Sequence, residues 1–263
     1  MENKTLQTLH FANPYLFNPS HPITISVVGC GGTGSLLLPR LARLDQALEQ
    51  LGHPGLFVRA YDDDVVEKHN VGRQNFTKHD IGKNKALALI EKINFAYGLQ
   101  WEAFNKRCNE VPKGNIIITC VDNVSFRKTV DVYSKSFLEE VKCDYDTPMY
   151  WLDCGNGKDF GQVILATIGA ISQPKNSKYR TCGVLKSVYD IYGNLEQFDT
   201  KDTQGIESCS FIESIQQQDL FINDAISVNA VDLLWRLFID LKLEYHGIIL
   251  NQKDFKQRGL LIR

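Results

Sequence analysis

The stretch Val27-Val28-Gly29-Cys30-Gly31-Gly32-Thr33-Gly34 constrains the fold more than any other part of the chain. It follows the β-branched run ITISVV (23–28), which reads as a buried strand. It precedes leucines at 36, 37, 41, 44, 48 and 51, which recur at helical spacing until Gly52-His53-Pro54-Gly55 stops them. Pro39 should bend the first turns of that helix. Gly29, Gly31 and Gly34 satisfy G-x-G-x-x-G in the strand-to-helix context the motif requires. Glycine permits the tight turn and lets the backbone approach phosphate oxygens, while the helix N-terminus supplies unpaired N–H groups. Asp62, ending the second run LFVRAYD (56–62), is placed to hold ribose hydroxyls. These features fit a dinucleotide and a nucleoside triphosphate equally.

Further along, IGKNKALALIEKINFAYG (81–98) predicts an amphipathic helix and NIIITCVDN (115–123) a buried strand ending in polar residues. A helix from about 125 to 141 and the strand MYWLDCG (149–155) follow. Alternation of this kind implies a Rossmann-like α/β fold, a mainly parallel sheet with flanking helices. Beyond 155, DFGQVILATIG reads as a strand, about 172–208 as a polar crossover loop, and NDAISVNAVDLLWRLFIDL (223–241) as a helix. Ile226, Ala230, Leu233, Leu234, Leu237 and Leu241 would seal that helix on the sheet, and HGIILNQKDFKQRGLLIR closes the chain as an antiparallel hairpin. Residues 1–22 read as an irregular lead-in, leaving 23–263 as a single domain.

With 263 residues, 43% apolar and 23% charged, the chain is long enough to bury one large core. A net charge of −2 gives no bulk pull toward nucleic acid or an acidic membrane. No signal peptide and no apolar run near the ~18–20 residues of a membrane span are read, so the expected setting is the cytoplasm. The seven cysteines (30, 108, 120, 143, 154, 182, 209) are odd in number and never spaced Cys-x-x-Cys. That spacing argues against disulfides and structural zinc. Cys30 and Cys120 read as packing residues.

The segment YDDDVVEKHNVGRQNFTKHDIGKNK separates the nucleotide classes. It places Asn70, Arg73, Gln74 and Lys85 shortly after the second strand. A triphosphate of roughly four negative charges calls for fixed cations, whereas a pyrophosphate can rest on backbone N–H groups. Asp122 follows the strand IIITCV, at the carboxyl end where open α/β sheets bind ligands. A carboxylate there suits Mg²⁺ held against the phosphates.

VVGCGGTGS, YDDDVVEKHNVGRQNF, GKNKA and CVDN, in this order, resemble the adenylation domain of the ThiF/MoeB/ubiquitin-activating superfamily over roughly 23–241. The resemblance implies that Gly29, Gly31, Gly32 and Gly34 cradle ATP and that Asp62 binds its ribose. It further implies that Asn70, Arg73 and Lys85 hold the phosphates, that Asp64, Gln74 and Asn123 shape the pocket, and that Asp122 binds Mg²⁺. The partner it implies is a ubiquitin-like β-grasp carrier, whose C-terminal carboxylate attacks the α-phosphate to give an acyl-adenylate. Cys209, in ESCSFIESI, resembles the loop cysteine that takes the acyl group as a thioester, with Cys182 in YRTCGV a second candidate. The lead-in HFANPYLFNPSHPITI and the tail from 208 look most like the ThiF-type member of PRTRC cassettes. That likeness implies a conjugating-enzyme-like protein and a JAB-type metallopeptidase as further partners. Two departures stand out: the paired Cys-x-x-Cys zinc motifs are missing, and no arginine precedes Arg40. A homodimer is expected by analogy. The rival readings are an NAD(P)- or FAD-dependent oxidoreductase, for which residues 155–263 offer only His246 as a proton donor, and an inactive scaffold that binds a ubiquitin-like protein.

Overall fold

Residues 23–28 alternate nothing: every side chain from Ile23 to Val28 is buried, which places this strand in the middle of a sheet covered on both faces. The computed structural model describes residues 7–122, 124–137, 145–193, 195 and 219–263. In it the chain forms β1 (Thr8–Phe11), β2 (Ile23–Val28), α1 (Gly32–Gln50), β3 (Leu56–Tyr61), α2 (Lys85–Tyr97), β4 (Glu102–Phe104), β5 (Ile116–Thr119) and α3 (Val124–Lys135). It continues through β6 (Tyr150–Asn156), β7 (Phe160–Thr167), β8 (Arg180–Thr181) and α4 (Val188–Tyr192). Helix α5 (Ile222–Ile239) and strands β9 (Lys242–Leu243), β10 (Tyr245–Asn251) and β11 (Lys256–Leu261) complete it.

Eight strands form one sheet in the order β11-β10-β7-β6-β5-β2-β3-β4. Strands β4, β3, β2, β5 and β6 are parallel. Strands β7, β10 and β11 add antiparallel, as the C-terminal sequence suggested. From β2 the chain first winds outward through β3 to β4, then returns to place β5 on the other side of β2. The strand order therefore reverses between β2 and β5, and the loops at their carboxyl ends diverge to leave a crevice.

Helix α1 packs against α2 and α5 on one face of the sheet. Of the leucines read from the spacing, 37, 41, 44 and 48 are buried, joined by Leu38, while Leu51 is exposed and Leu36 only half-buried. Asn84 caps α2 by accepting from the Leu87 N–H, and Gly98 ends it in the left-handed region at φ 69°. In α5, Ile226, Ala230, Leu233, Leu234 and Leu237 are buried as expected, whereas Leu241 lies past the helix end with φ 55°. The opposite face carries α3 and α4, packed on Ile117, Trp151 and Ile164.

Besides the short strand β4, which the sequence reading did not include, two stretches depart from it. The lead-in is not irregular throughout: β1 sits between β8 and β9 in a second, three-stranded sheet, and a 3-10 turn, Pro14–Leu16, buries Leu16. Nor is 172–208 a plain loop, since it contains β8 and α4. Ser187 and Asp190 cap α4 reciprocally: the Ser187 N–H donates to Asp190 Oδ2 at 2.9 Å and the Asp190 N–H donates to Ser187 Oγ.

The buried His10 holds β1 in place. Its Nδ1 lies 2.7 Å from the Cys182 carbonyl and its Nε2 2.9 Å from the Tyr150 hydroxyl, which also accepts the Asn13 N–H. Burial pulls the His10 pKa from 6.5 down to about 4. The unfolded chain therefore binds the proton first, and stability drains away as pH falls from 6.5 through 4, by up to about 3 kcal/mol. Asp45 opposes this, because burial lifts its carboxyl from 3.8 to about 6 and ionising it costs stability as pH rises through that window. Urea unfolding of Asp45→Asn should expose the acid-side slope that the parent protein conceals. Adding His10→Gln should remove most of it; an unchanged slope would assign the acid sensitivity elsewhere.

Candidate functional site

At the end of β2 the backbone turns through Gly29 with φ 94°, its N–H donating to the Tyr61 carbonyl at 2.9 Å. A Cβ on Gly29 would lie 2.6 Å from the Cys120 carbonyl oxygen, and one on Gly34 only 1.9 Å from the Gly29 carbonyl oxygen. These two glycines are required by packing between the loop, α1 and the chain leaving β5. Gly32 would meet the Asn223 amide at 2.7 Å. Gly31 differs: a Cβ there meets nothing within 4 Å. Gly31 is also the N-cap of α1 and provides no side-chain cap, so the first-turn N–H groups of this 19-residue helix are left for a ligand.

This geometry separates two kinds of glycine experimentally. Gly34→Ala should lower stability by about 1–3 kcal/mol, because the loop must shift to admit a methyl group. Gly31→Ala should fold normally yet bind nucleotide at least tenfold more weakly, since the methyl would occupy phosphate space. Unaltered nucleotide affinity in folded Gly31→Ala would place the phosphates elsewhere.

Asp62 is the first residue past β3. Its Oδ2 accepts the Cys30 N–H at 2.5 Å and its Oδ1 the Asp64 N–H at 2.8 Å. Burial raises its pKa, with those N–H groups and Lys85 acting in opposition. Lys85, the first residue of α2, is itself buried and reaches Asp64 Oδ2 at 2.7 Å. Asn84 fixes this corner by donating to the carbonyls of Asp62 and Asp64 at 2.8 and 3.0 Å. The carboxylates of Asp62, Asp63 and Asp64 come within 4.8 Å of one another. With Asp62 taken up by N–H groups and Asp64 by Lys85, they form a hydrogen-bonding corner and not a cation cage.

Between β3 and α2, a 3-10 turn at Lys68–Asn70 buries Asn70, whose Oδ1 accepts the Glu67 N–H at 2.8 Å. Asn70 O in turn accepts the Gln74 N–H at 2.9 Å, and the Asn75 N–H donates to Ser35 Oγ at 3.1 Å. These bonds tie the Arg73-Gln74 segment against α1. Gln74 is buried, and its Oε1 has no donor among the described residues.

One cleft of about 1120 Å³ gathers Gly29, Gly31, Gly32, Asp62, Asp64, Asn70, Arg73, Gln74, Lys85 and Asp122. It lies at the switch point between β2 and β5, where the fold favours ligand binding. Gly34 supports it from beneath. Asp122 is exposed and makes no ion pair among the described residues, leaving a hard oxygen donor facing a cation-lined space. A carboxylate so placed fits Mg²⁺. Asn123 and Cys209 lie outside the described residues. Cys182 is described and does not line the cleft: it sits on the β1–β8 side, its Sγ donating to the Val184 carbonyl at 2.9 Å. His246, the proton donor an oxidoreductase would need, is buried on β10 with Nδ1 3.0 Å from the Leu165 carbonyl, away from the cleft.

Sequence reasoning missed several cleft residues. Lys106, Arg107 and Lys158 bring further positive charge to it. Lys106 lies over the stacked rings of Tyr61 and Phe104, 5.7 and 5.3 Å from their centroids. Asn223 enters from the start of α5: its Oδ1 accepts from Thr33 Oγ1 at 2.9 Å and from Asn156 Nδ2 at 2.7 Å. Helix α5 carries several other polar residues, so nothing local in the sequence marked Asn223. Cys30 is buried, as read, and burial followed by the neighbouring Asp62 pushes its thiol well up. Cys120, read as a strand residue, instead lies just past β5 and lines the cleft.

A doubly wound, mainly parallel sheet with a glycine turn, a buried carboxyl and clustered cations at its switch point defines a Rossmann-like α/β protein. Residues 21–214 match the ThiF family, and the chain belongs to it. It is 32% identical over 100 residues to the ATP-dependent ubiquitin transferase-like protein Cap2 of Escherichia coli (strain TW11681), covering 36% of this chain and 16% of that protein. It is 30% identical over 126 residues to ubiquitin-like modifier-activating enzyme 5 of Bombyx mori, covering 41% of this chain and 30% of that one. The matches thus span less than a third of either relative's length. The crystal structure of E. coli MccB with ATP superposes with a TM-score of 0.56 at 13% identity, over 91% of this chain and 63% of that chain, which establishes the shared fold. No helix among the described residues is long and apolar enough to cross a membrane.

Proposed function

We propose that this chain adenylates the C-terminal carboxylate of a small ubiquitin-like β-grasp carrier and then takes the acyl group onto Cys209. The observation that supports this most is the meeting of Arg73, Lys85 and Asp122 at the glycine turn, within one cleft. Asp62 would accept the ribose hydroxyls through the lone pairs that the Cys30 and Asp64 N–H groups leave open. Gln74 Oε1, a buried acceptor still in need of a donor, would receive one from the ligand. Asn70, Arg73 and Lys85 would hold the phosphates beside the first turn of α1, and Asp64 would give up Lys85 as the phosphates take its charge. Asp122 would hold Mg²⁺, which neutralises charge building on the phosphates.

The carrier carboxylate oxygen attacks the α-phosphorus, the bond to the β-phosphate oxygen breaks, and pyrophosphate leaves. The Cys209 thiolate then attacks the acyl carbon, and AMP departs with the bonding electron pair. The protein's part is positioning and charge neutralisation. Residues 23–263 act as a single adenylation domain in this reading, without zinc, and the chain pairs as a homodimer. Its lead-in and tail favour the PRTRC-type branch, with a conjugating-enzyme-like protein and a JAB-type metallopeptidase as companions.

Exchange of labelled pyrophosphate into ATP, dependent on the carrier, tests the first step. An oxidoreductase or an inactive scaffold gives none. Cys209→Ser should keep the exchange and lose the thiol-reducible adduct with the carrier. An adduct that survives the change would overturn the role of Cys209.

A further inference from the structure

Strands β5 and β6 run parallel in register, Thr119 opposite Asp153, and the side chains of that pair meet on one face, where Thr119 Oγ1 donates to Asp153 Oδ1 at 2.6 Å. The next residues along, Cys120 and Cys154, are therefore side by side on the other face. The two thiol groups interact, and both residues line the cleft. Neighbouring parallel strands lie about 4.8 Å apart, within the ~4.4–6.8 Å Cα separation that disulfides bridge. Cys154 is 3% exposed, while Cys120 is half-buried and faces the opening two residues before Asp122. Cys120 also touches the glycine turn: its carbonyl abuts Gly29, and its Cβ lies 3.4 Å from where a Cβ on Gly34 would be.

We propose that Cys120 and Cys154 form a peroxide-oxidisable thiol pair in the floor of the cleft, which closes reversibly to a disulfide. Cys120, the accessible sulfur, attacks one peroxide oxygen. The O–O bond breaks, water leaves, and Cys120 becomes a sulfenic acid. The Cys154 sulfur then attacks the Cys120 sulfur, the S–O bond breaks, and hydroxide departs with the Cys154 proton as a second water. One hydrogen peroxide is reduced for each pair of thiols oxidised. The Cys120 contact and burial hold the proton on the Cys154 thiol, so the first attack falls to Cys120, and Cys154 gives up that proton to the departing hydroxide as its sulfur attacks. Drawing the two sulfurs together moves the residue that abuts Gly29 and lies beneath Gly34, so closure reshapes the glycine turn.

The test uses the full chain, reduced and desalted, exposed to one equivalent of hydrogen peroxide and blocked with N-ethylmaleimide. Non-reducing digestion and mass spectrometry should find the Cys120 and Cys154 peptides joined, and dithiothreitol should free them. Cys154→Ala should leave Cys120 as a trappable sulfenic acid. Singly alkylated Cys120 and Cys154 after peroxide, or a join of either to another cysteine, would overturn the proposal. A second arm rests on the nucleotide reading above: saturating MgATP should slow closure about tenfold. If calorimetry shows MgATP bound to the reduced protein and closure is not slowed, the pair's place in the cleft floor is refuted. If MgATP does not bind, the adenylation reading fails while a joined pair still upholds the thiol site.

Discussion

Replacing Asp122 by alanine should lower carrier-dependent ATP–pyrophosphate exchange by about a hundredfold or more, with no loss of folding stability. The two halves of that expectation have separate grounds. Asp122 is exposed and engages in no ion pair among the described residues, so its removal breaks no ion pair there. Its proposed task begins only when a magnesium-chelated triphosphate enters, because a carboxylate beside phosphate is otherwise repelled. A variant that loses exchange and stability together would point to a structural role. One that keeps near-full exchange would remove Asp122 from the chemistry and leave the cations to act alone.

Asp153→Ala is expected to cost about 3–5 kcal/mol of stability, read as a lowered urea midpoint. Asp153 is buried on β6 and receives Arg127 Nε at 2.7 Å, while Arg127 also donates to the Cys154 carbonyl at 3.0 Å. Burial alone would depress the guanidinium pKa; the Asp153 carboxylate outweighs it and holds Arg127 charged. Alanine would strand that charge inside the protein, and would also leave the Thr119 hydroxyl without its acceptor. A compensating Arg127→Met should recover much of the loss, because an apolar pair of similar volume avoids the desolvation of both ions. If the single and double variants are equally unstable, packing around β6 and not the stranded charge sets the cost.

The parts of the site that could be read from the sequence share one property: each depends on residues near one another in the chain. The glycine turn between β2 and α1 is local, and so are the Asp62 corner after β3 and the Asn70–Gln74 turn. Their geometry follows from backbone freedom, strand patterning and capping within a few residues. The missed elements lacked that local signature. Strand β1 has only four residues, and its partners β8 and β9 lie far along the chain. Strand β4 has three residues, which is too short for a period-2 pattern to register. Helix α4 is a single turn or so, and only its Ser187-x-x-Asp190 cap marked it.

Asn223 is 190 residues from the Thr33 hydroxyl it receives, and no reading of either segment alone joins them. Cys120 shows the same limit more sharply. As one apolar-flanked residue in IIITCV it looked like packing, and its exposure depends on where β5 stops and which strand runs beside it. Composition and spacing determined by themselves that this chain would wind a mainly parallel sheet around a glycine turn, because those signals are written in neighbouring side chains and backbone torsions. Only the tertiary structure decided that Arg107, Lys158 and Asn223 line the same cleft as that turn, and that Cys120 and Cys154 come to lie side by side in it. Such meetings depend on strand order and register across the sheet, which long-range packing selects and local sequence does not encode.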